Sequence, residues 1–169
     1  MDYEKYIGVI EDFPKKGISF KDISPLLRDP KAFASCVDDL SRIAEEFHPT
    51  VIIGPESRAF VFGTAMAYKL GIGFVMARKA GKLPGKTYKV TYDLEYGTAT
   101  LEIPVASFKK GDRVLIIDDL LATGGTFNAL IKLVKEAGGE PVACETVIRL
   151  KELEGDKKIP IPTKYLLDL

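Results

Sequence analysis

The chain has 169 residues, 46% hydrophobic and 28% charged, with 24 Lys plus Arg against 24 Asp plus Glu. That length suits one domain with a continuous core and is too short for two full-sized ones, and the balanced charge provides no global field to recruit nucleic acid or an anionic membrane. Any anion site must be local, and a single histidine, His48, argues against a His-based metal centre or a hydrolytic triad.

The N-terminal MDYEKYIGVIEDF lacks both the basic-then-apolar pattern of a leader and an Arg-rich transit pattern. No apolar stretch approaches the roughly 20 residues of a membrane span, so a cytoplasmic location is expected. Cys36 and Cys144 lie far apart, match no CxxC pattern and are read as reduced core thiols. Residues 1 to 28 open with a short amphipathic segment and continue through Pro14, Gly17 and Pro25. This stretch is too irregular for a long element, yet Phe13, Ile18, Phe20, Ile23, Leu26 and Leu27 are too apolar for a solvated linker, so a small flap on the core is expected. Asp29-Pro30 supplies an N-cap and a first-turn proline for a helix whose apolar stripe runs from Phe33 to Phe47 and stops at His48-Pro49, where the histidine has a cap-like role.

Val51-Ile52-Ile53 reads as a short buried strand, followed by the turn Gly54 to Arg58 and a second apolar helix ending near Leu70-Gly71. Phe74 to Ala77 is the next strand. The basic loop Arg78 to Lys86 leads into alternating segments, Thr87 to Tyr92 and Thr98 to Ile103, which form a hairpin or flexible excursion. A helix over Thr126 to Ala137 closes at Gly138-Gly139, and Val142 to Ile148 and Tyr165 to Leu167 supply the last strands. Strands alternating with helices give an α/β domain over residues 1–169, a parallel sheet flanked by helices, with ligand expected at the carboxyl ends of the strands.

Between the strand beginning at Val114 and the helix beginning at Thr126 lies the most informative stretch, VLIIDDLLATGGT. Glycine permits positive φ, so Ala122-Thr123-Gly124-Gly125-Thr126 can aim backbone N–H groups, two hydroxyls and a helix N-terminus at one phosphate. Asp118 and Asp119 would hinder a bare phosphate site but suit a ligand that carries hydroxyls beside its phosphate, as a ribose 5-phosphate does. Consecutive strand residues face opposite ways, so the two acids can share a ligand only where the strand ends and the chain bends; otherwise they are a helix-cap acid and a solvated one. Arg58, at a turn before a helix, is either a surface cation or a second phosphate subsite. Ala80 to Thr87 satisfies a relaxed Walker A pattern, but the strand-like alternation of Thr87 to Tyr92 opposes the helix that such a loop must open, which leaves a mobile basic loop or a lid over phosphates. Glu95 and Tyr96 show no partner by spacing.

Val114 to Thr126 closely resembles the phosphoribosyl pyrophosphate signature of type I phosphoribosyltransferases, and DFPKKGISFKDISPLL, GPESRAFVFG, RKAGKLPG, LEYGTATLEI and DDLLATGGT, in that order, resemble the adenine phosphoribosyltransferases. The resemblance covers nearly the whole chain. It implies the type I phosphoribosyltransferase fold with a small N-terminal hood (about 1–30) and a flexible lid hairpin (about 78–104). It also implies transfer of the phosphoribosyl group of 5-phosphoribosyl 1-pyrophosphate to adenine, giving AMP and pyrophosphate. Mg²⁺ would be bound mainly through the phosphoribosyl substrate and water, with no metal-ligating residue assigned. Ala122, Thr123, Gly124, Gly125 and Thr126 would cradle the 5-phosphate, and Asp118 with Asp119 would hold the ribose hydroxyls. Arg58, with the backbone of Glu56 and Ser57, would bind pyrophosphate, and Glu56-Ser57 would be a non-proline cis peptide. Arg78, Lys79 and Lys82 would add charge, some of it from the neighbouring subunit of a homodimer. Phe20 and Leu120 would sandwich the purine while the backbones of Ser19 and Lys21 read its edge. Glu95 would assist proton transfer at the base. Ala59 departs from the glycine that many members carry there. Alternatives are a transferase for another purine, such as hypoxanthine, guanine or xanthine, and a non-catalytic regulator that senses phosphoribosyl pyrophosphate or a nucleotide.

Overall fold

Parallel strands buried on both faces need helices on both faces, and the apolar runs of this chain are distributed to meet that need. The computed structural model describes residues 1–94 and 97–169. A 3₁₀ turn, Tyr3–Tyr6, precedes a two-stranded antiparallel ribbon of β1 (Gly8–Ile10) and β2 (Phe20–Asp22), which forms the flap. Helices α1 (Ser24–Arg28) and α2 (Pro30–Glu45) lead to β3 (Val51–Pro55), α3 (Ala59–Leu70) and β4 (Gly73–Lys79). The hairpin β5 (Thr87–Leu94) and β6 (Gly97–Pro104) comes next, then β7 (Arg113–Leu121), α4 (Gly125–Glu136), β8 (Glu140–Arg149) and β9 (Thr163–Asp168). The seven-stranded sheet has the order β5-β6-β4-β3-β7-β8-β9. β4, β3, β7, β8 and β9 are parallel to their neighbours, whereas β6 runs antiparallel to β4 through Arg78–Glu102 and Lys79–Leu101.

The hairpin is therefore no separate excursion. It extends the sheet edge, and β5 packs against α4. Because Thr87–Leu94 is strand, the loop before it opens no helix and cannot work as a Walker A loop.

Alternation along β7 divides the core. Leu115 and Ile117 face α2 and α3 with Leu26, Cys36, Leu40, Phe62 and Met66, while Val114 and Ile116 face α4 with Leu130, Val134 and Cys144. Asp29 caps α2 by accepting the N–H groups of Lys31 and Ala32 at 2.9 and 2.8 Å. The regular helix ends at Glu45, three residues before His48, because the N–H groups of Glu46, Phe47 and His48 bond to i−3 carbonyls and tighten the last turn. Arg113 then takes the carbonyls of Phe47 and His48, so an arginine from the next strand pair caps this end, and His48 takes the positive-φ exit (φ 48°). Among the described residues no helix is long and apolar enough to cross a membrane.

Candidate active site

The carboxyl ends of β3 and β7, adjacent in the sheet, deliver the polar residues of the site. Asp118 and Asp119 lie inside β7, which continues through Leu121, so the strand does not end at the acid pair as the sequence suggested. Both carboxylates nonetheless line one cavity of about 340 Å³. Asp118 Oδ1 accepts the N–H of Asp119 at 2.8 Å, which turns the first carboxylate along its own backbone. Two neighbouring strand residues thus border the same cavity. Burial pushes Asp118 well above the usual carboxylate range, and the adjacent Asp119 raises it further. Burial also raises Asp119, against the opposing pull of the Arg58 guanidinium.

Arg58 Nη2 stands 3.0 Å from Asp119 Oδ2, and its guanidinium lies 5.0 Å from the centre of the Phe20 ring. Arg58 Nη1 is buried without a hydrogen-bond partner among the described residues, leaving donor capacity in the cavity wall. The preceding Glu56-Ser57 bond is cis. The Glu56 carboxylate accepts the Lys79 N–H and an Arg78 Nη2 bond of 3.3 Å, and the Lys79 bond is the first cause that lowers its pKa. Ala59, which stands where many members carry glycine, is fully buried, and its Cβ lies 3.0 Å from where a Cβ on Gly54 would sit. Its methyl faces β3 and leaves the backbone of the turn open.

Ala122 to Thr126 follows β7, with Gly124 at φ 85°, ψ −2° and α4 beginning at Gly125. A positive-φ glycine feeding a twelve-residue helix is the backbone geometry that an anion cradle needs. The loop lines a second cavity of about 910 Å³ together with Ser19, Phe20, Lys21 and Leu120. Phe20, Arg58 and Thr126 line both cavities, which therefore adjoin.

Lys79 lines the first cavity. Lys82 is exposed and lines neither, and Arg78 is occupied with Glu56. Glu95 and Tyr96 fall outside the described residues. Tyr92, absent from the sequence-derived set, lines the first cavity and receives a 3.4 Å contact from Thr126 Oγ1. The period-two pattern of β5 gave the available signal, because Tyr88, Val90 and Tyr92 all turn to the core side.

Known proteins share this architecture. Residues 23–163 match the family model of the phosphoribosyl transferase domain. An adenine phosphoribosyltransferase of Desulfitobacterium hafniense is 50% identical over 159 residues, covering 94% of this chain and 92% of that one. The crystal structure of adenine phosphoribosyltransferase from Thermoanaerobacter pseudethanolicus is similar with a TM-score of 0.96 at 45% identity, over 99% of this chain and 98% of that one. The Saccharomyces cerevisiae enzyme, complexed with adenine and an imino-altritol bisphosphate, gives 0.91 at 37% identity, over 98% and 96%.

Proposed function

This chain belongs to the adenine phosphoribosyltransferases of the phosphoribosyl transferase family, and from that premise we infer that it transfers the phosphoribosyl group of 5-phosphoribosyl 1-pyrophosphate to adenine, giving AMP and pyrophosphate. The observation that carries the assignment to these residues is the meeting of the two cavities at Phe20, Arg58 and Thr126. A base slot, a phosphate cradle and a cationic turn then surround one point where the anomeric carbon would lie.

Displacement at that carbon develops positive charge on the sugar ring while negative charge builds on the departing pyrophosphate, as in glycoside hydrolysis. The α4 N-terminus and residues 122–126 hold the 5-phosphate, Asp118 and Asp119 hold the ribose hydroxyls, and Arg58 with Lys79 takes the pyrophosphate. Arg78 and Lys82 add their charge from the rim of the same turn. Phe20 and Leu120 stack on the purine, the backbones of Ser19 and Lys21 read its edge, and Glu95 shares the proton lost by the base.

Magnesium fits this donor set as a substrate-borne ion. Asp118 and Asp119, which line the first cavity, would offer oxygen donors to an ion brought in with the phosphoribosyl substrate and its water. When bound, it neutralises pyrophosphate charge.

We assign the enzyme to the cytoplasm, in keeping with the buried free thiols of Cys36 and Cys144. We further assign a homodimer joined at the α3–β4 face, where Val61, Tyr68 and Met76 are exposed at 38%, 91% and 47%. Tyr68→Glu should convert it to a monomer by light scattering; a wild-type chain already monomeric at micromolar concentration sinks this assignment.

Base competition tests the substrate directly. A backbone carbonyl facing the 6-amino group and an N–H facing N1 would each be mismatched by hypoxanthine, at about 1–3 kcal/mol apiece. Adenine should therefore be preferred over hypoxanthine, guanine and xanthine by about 10²-fold or more in kcat/KM. Equal use of an oxopurine would overturn adenine specificity while leaving the transferase chemistry in place.

A further inference from the structure

The phosphate loop rests on a segment that plays no part in the mechanism above. After β8 the chain forms two 3₁₀ turns, Lys151–Leu153 and Gly155–Lys158, and passes beneath the loop. Gly155 is buried there, and a Cβ added to it would lie 2.1 Å from the carbonyl oxygen of Ala122 and 2.8 Å from the nitrogen of Gly124. In the other direction, a Cβ on Gly124 would meet the Gly155 carbonyl oxygen at 2.7 Å. The two backbones touch with no side chain between them, and neither contact leaves a flexible group that could yield. Only glycine fits at 155 although its own φ is not left-handed, so the requirement comes from the close approach.

Two sets of bonds fix the segment. Asn128, one turn into α4, donates its side-chain amide to the carbonyls of Gly124 and Lys158 at 3.1 and 3.2 Å, tying the loop to the segment's far end. Arg149 is 9% exposed; its Nε donates to Asp156 Oδ1 and its Nη1 to Asp168 Oδ1, both at 2.8 Å. The guanidinium thus ties the residue after Gly155 to the end of β9. Charge-assisted bonds from a buried arginine are strong and directional, well suited to holding a backbone at fixed height.

We propose that residues 149–158 are a brace that sets the conformation of the 5-phosphate loop, with Gly155 as the bearing point and Arg149 and Asp156 as positioning residues. The proposal rests on the assignment of residues 122–126 to the 5-phosphate. Aligned loop N–H groups matter only for the phosphorylated end of the substrate, and although Leu150, Glu152 and Leu153 of the brace border the cavity of Phe20 and Leu120, Gly155 and Asp156 do not, so a change at either of these two should weaken the phosphorylated substrate far more than the base. A shift of about 1 Å at such a cradle is enough for large losses.

The test uses Gly155→Ala, Asp156→Asn and Thr126→Val, each measured for KM of both substrates, kcat, ribose 5-phosphate affinity by calorimetry, and melting temperature. Gly155→Ala should raise the phosphoribosyl pyrophosphate KM and the ribose 5-phosphate Kd by about tenfold or more, with the adenine KM within about twofold. Asp156→Asn, which keeps the side-chain shape, should shift the same constants by a smaller factor; it decides the matter if the alanine variant does not fold. Thr126→Val reports on the loop itself. If it moves the phosphate constants while Asp156→Asn and a folded Gly155→Ala do not, the brace is overturned and the phosphate assignment stands. If Thr126→Val leaves them unmoved, the phosphate assignment fails first. A brace variant that only lowers the melting temperature, or changes both KM values equally, also overturns the proposal.

Discussion

Replacing Arg58 with alanine should lower kcat/KM for phosphoribosyl pyrophosphate by about 10²–10³-fold, the cost of deleting one preorganised group that meets developing negative charge. Its guanidinium reaches Asp119 at 3.0 Å and Phe20 at 5.0 Å, and Nη1 remains buried and unpartnered among the described residues. Lysine cannot reproduce that fork, so Arg58→Lys should recover only a small part of the loss. The alanine variant should also be less stable, by about 1–3 kcal/mol, because Asp119 is only 3% exposed and would lose its cation. Adding Asp119→Asn should restore melting temperature without restoring activity. The cycle separates the two roles of the arginine: fully additive effects on stability would show that the Arg58–Asp119 pair is not coupled in the free enzyme.

Glu145 should make the folded state weaken as pH rises. It lies in the middle of β8, 0% exposed, with both carboxyl oxygens lacking hydrogen-bond partners among the described residues. Burial raises its pKa from 4.5 to about 9, the Glu46 charge adds to the rise, and Lys164 opposes it. The unfolded chain releases this proton near its ordinary value, whereas the folded chain keeps it, so the unfolded state binds fewer protons between those limits. The contribution is fully favourable below about pH 4.5, declines by up to about 1.4 kcal/mol per pH unit, and is lost once the pH passes the folded value near 9. Glu145→Gln is isosteric and removes the ionisation. At pH 8 it should be more stable than wild type by about 1–3 kcal/mol, with the gap closing toward pH 5. Asp118 also has a raised value, but it is common to both proteins and drops out of the difference. Parallel urea-unfolding curves for the two proteins at both pH values would contradict the assignment.

What could be read from the chain and what could not divide along physical lines. The glycine turn into α4, the capped helix at Asp29 and the sheet-forming runs depend on local chemistry, such as positive-φ glycine, a cap oxygen and uninterrupted β-branched residues, and the structure has them where the spacing put them. Long-range pairing leaves a weaker trace. The hairpin was legible in the alternation of Thr87 to Tyr92 and Thr98 to Ile103, but nothing in Thr98 to Ile103 specifies that it will lie antiparallel to β4, so its place at the sheet edge was not. The acid pair was read as needing a strand end, because the backbone bond that turns Asp118 aside has no compositional signal. Gly155, between Glu154 and Asp156, is indistinguishable in sequence from any polar turn glycine. Its constraint comes from a loop thirty residues earlier, visible only once both segments are placed.

The strand order carries one more consequence. From β3 the chain lays down β4 and the hairpin on one side, then returns across β3 to build β7, β8 and β9 on the other. The cationic turn at Glu56 to Arg58 hangs from β3, and Lys79 from the first wing; Leu120 and the phosphate cradle belong to the second. On the reading proposed above, a substrate lying across the seam would join two separately assembled halves, with its leaving group held from β3 and the first wing and its base by Leu120 of the second wing together with the flap. Because the Arg58 guanidinium lies 5.0 Å from the Phe20 ring, the flap residue that would stack on the base also touches the turn that would hold the leaving group, so on that reading a change of acceptor base at Phe20 would be felt at the sugar's activation as well.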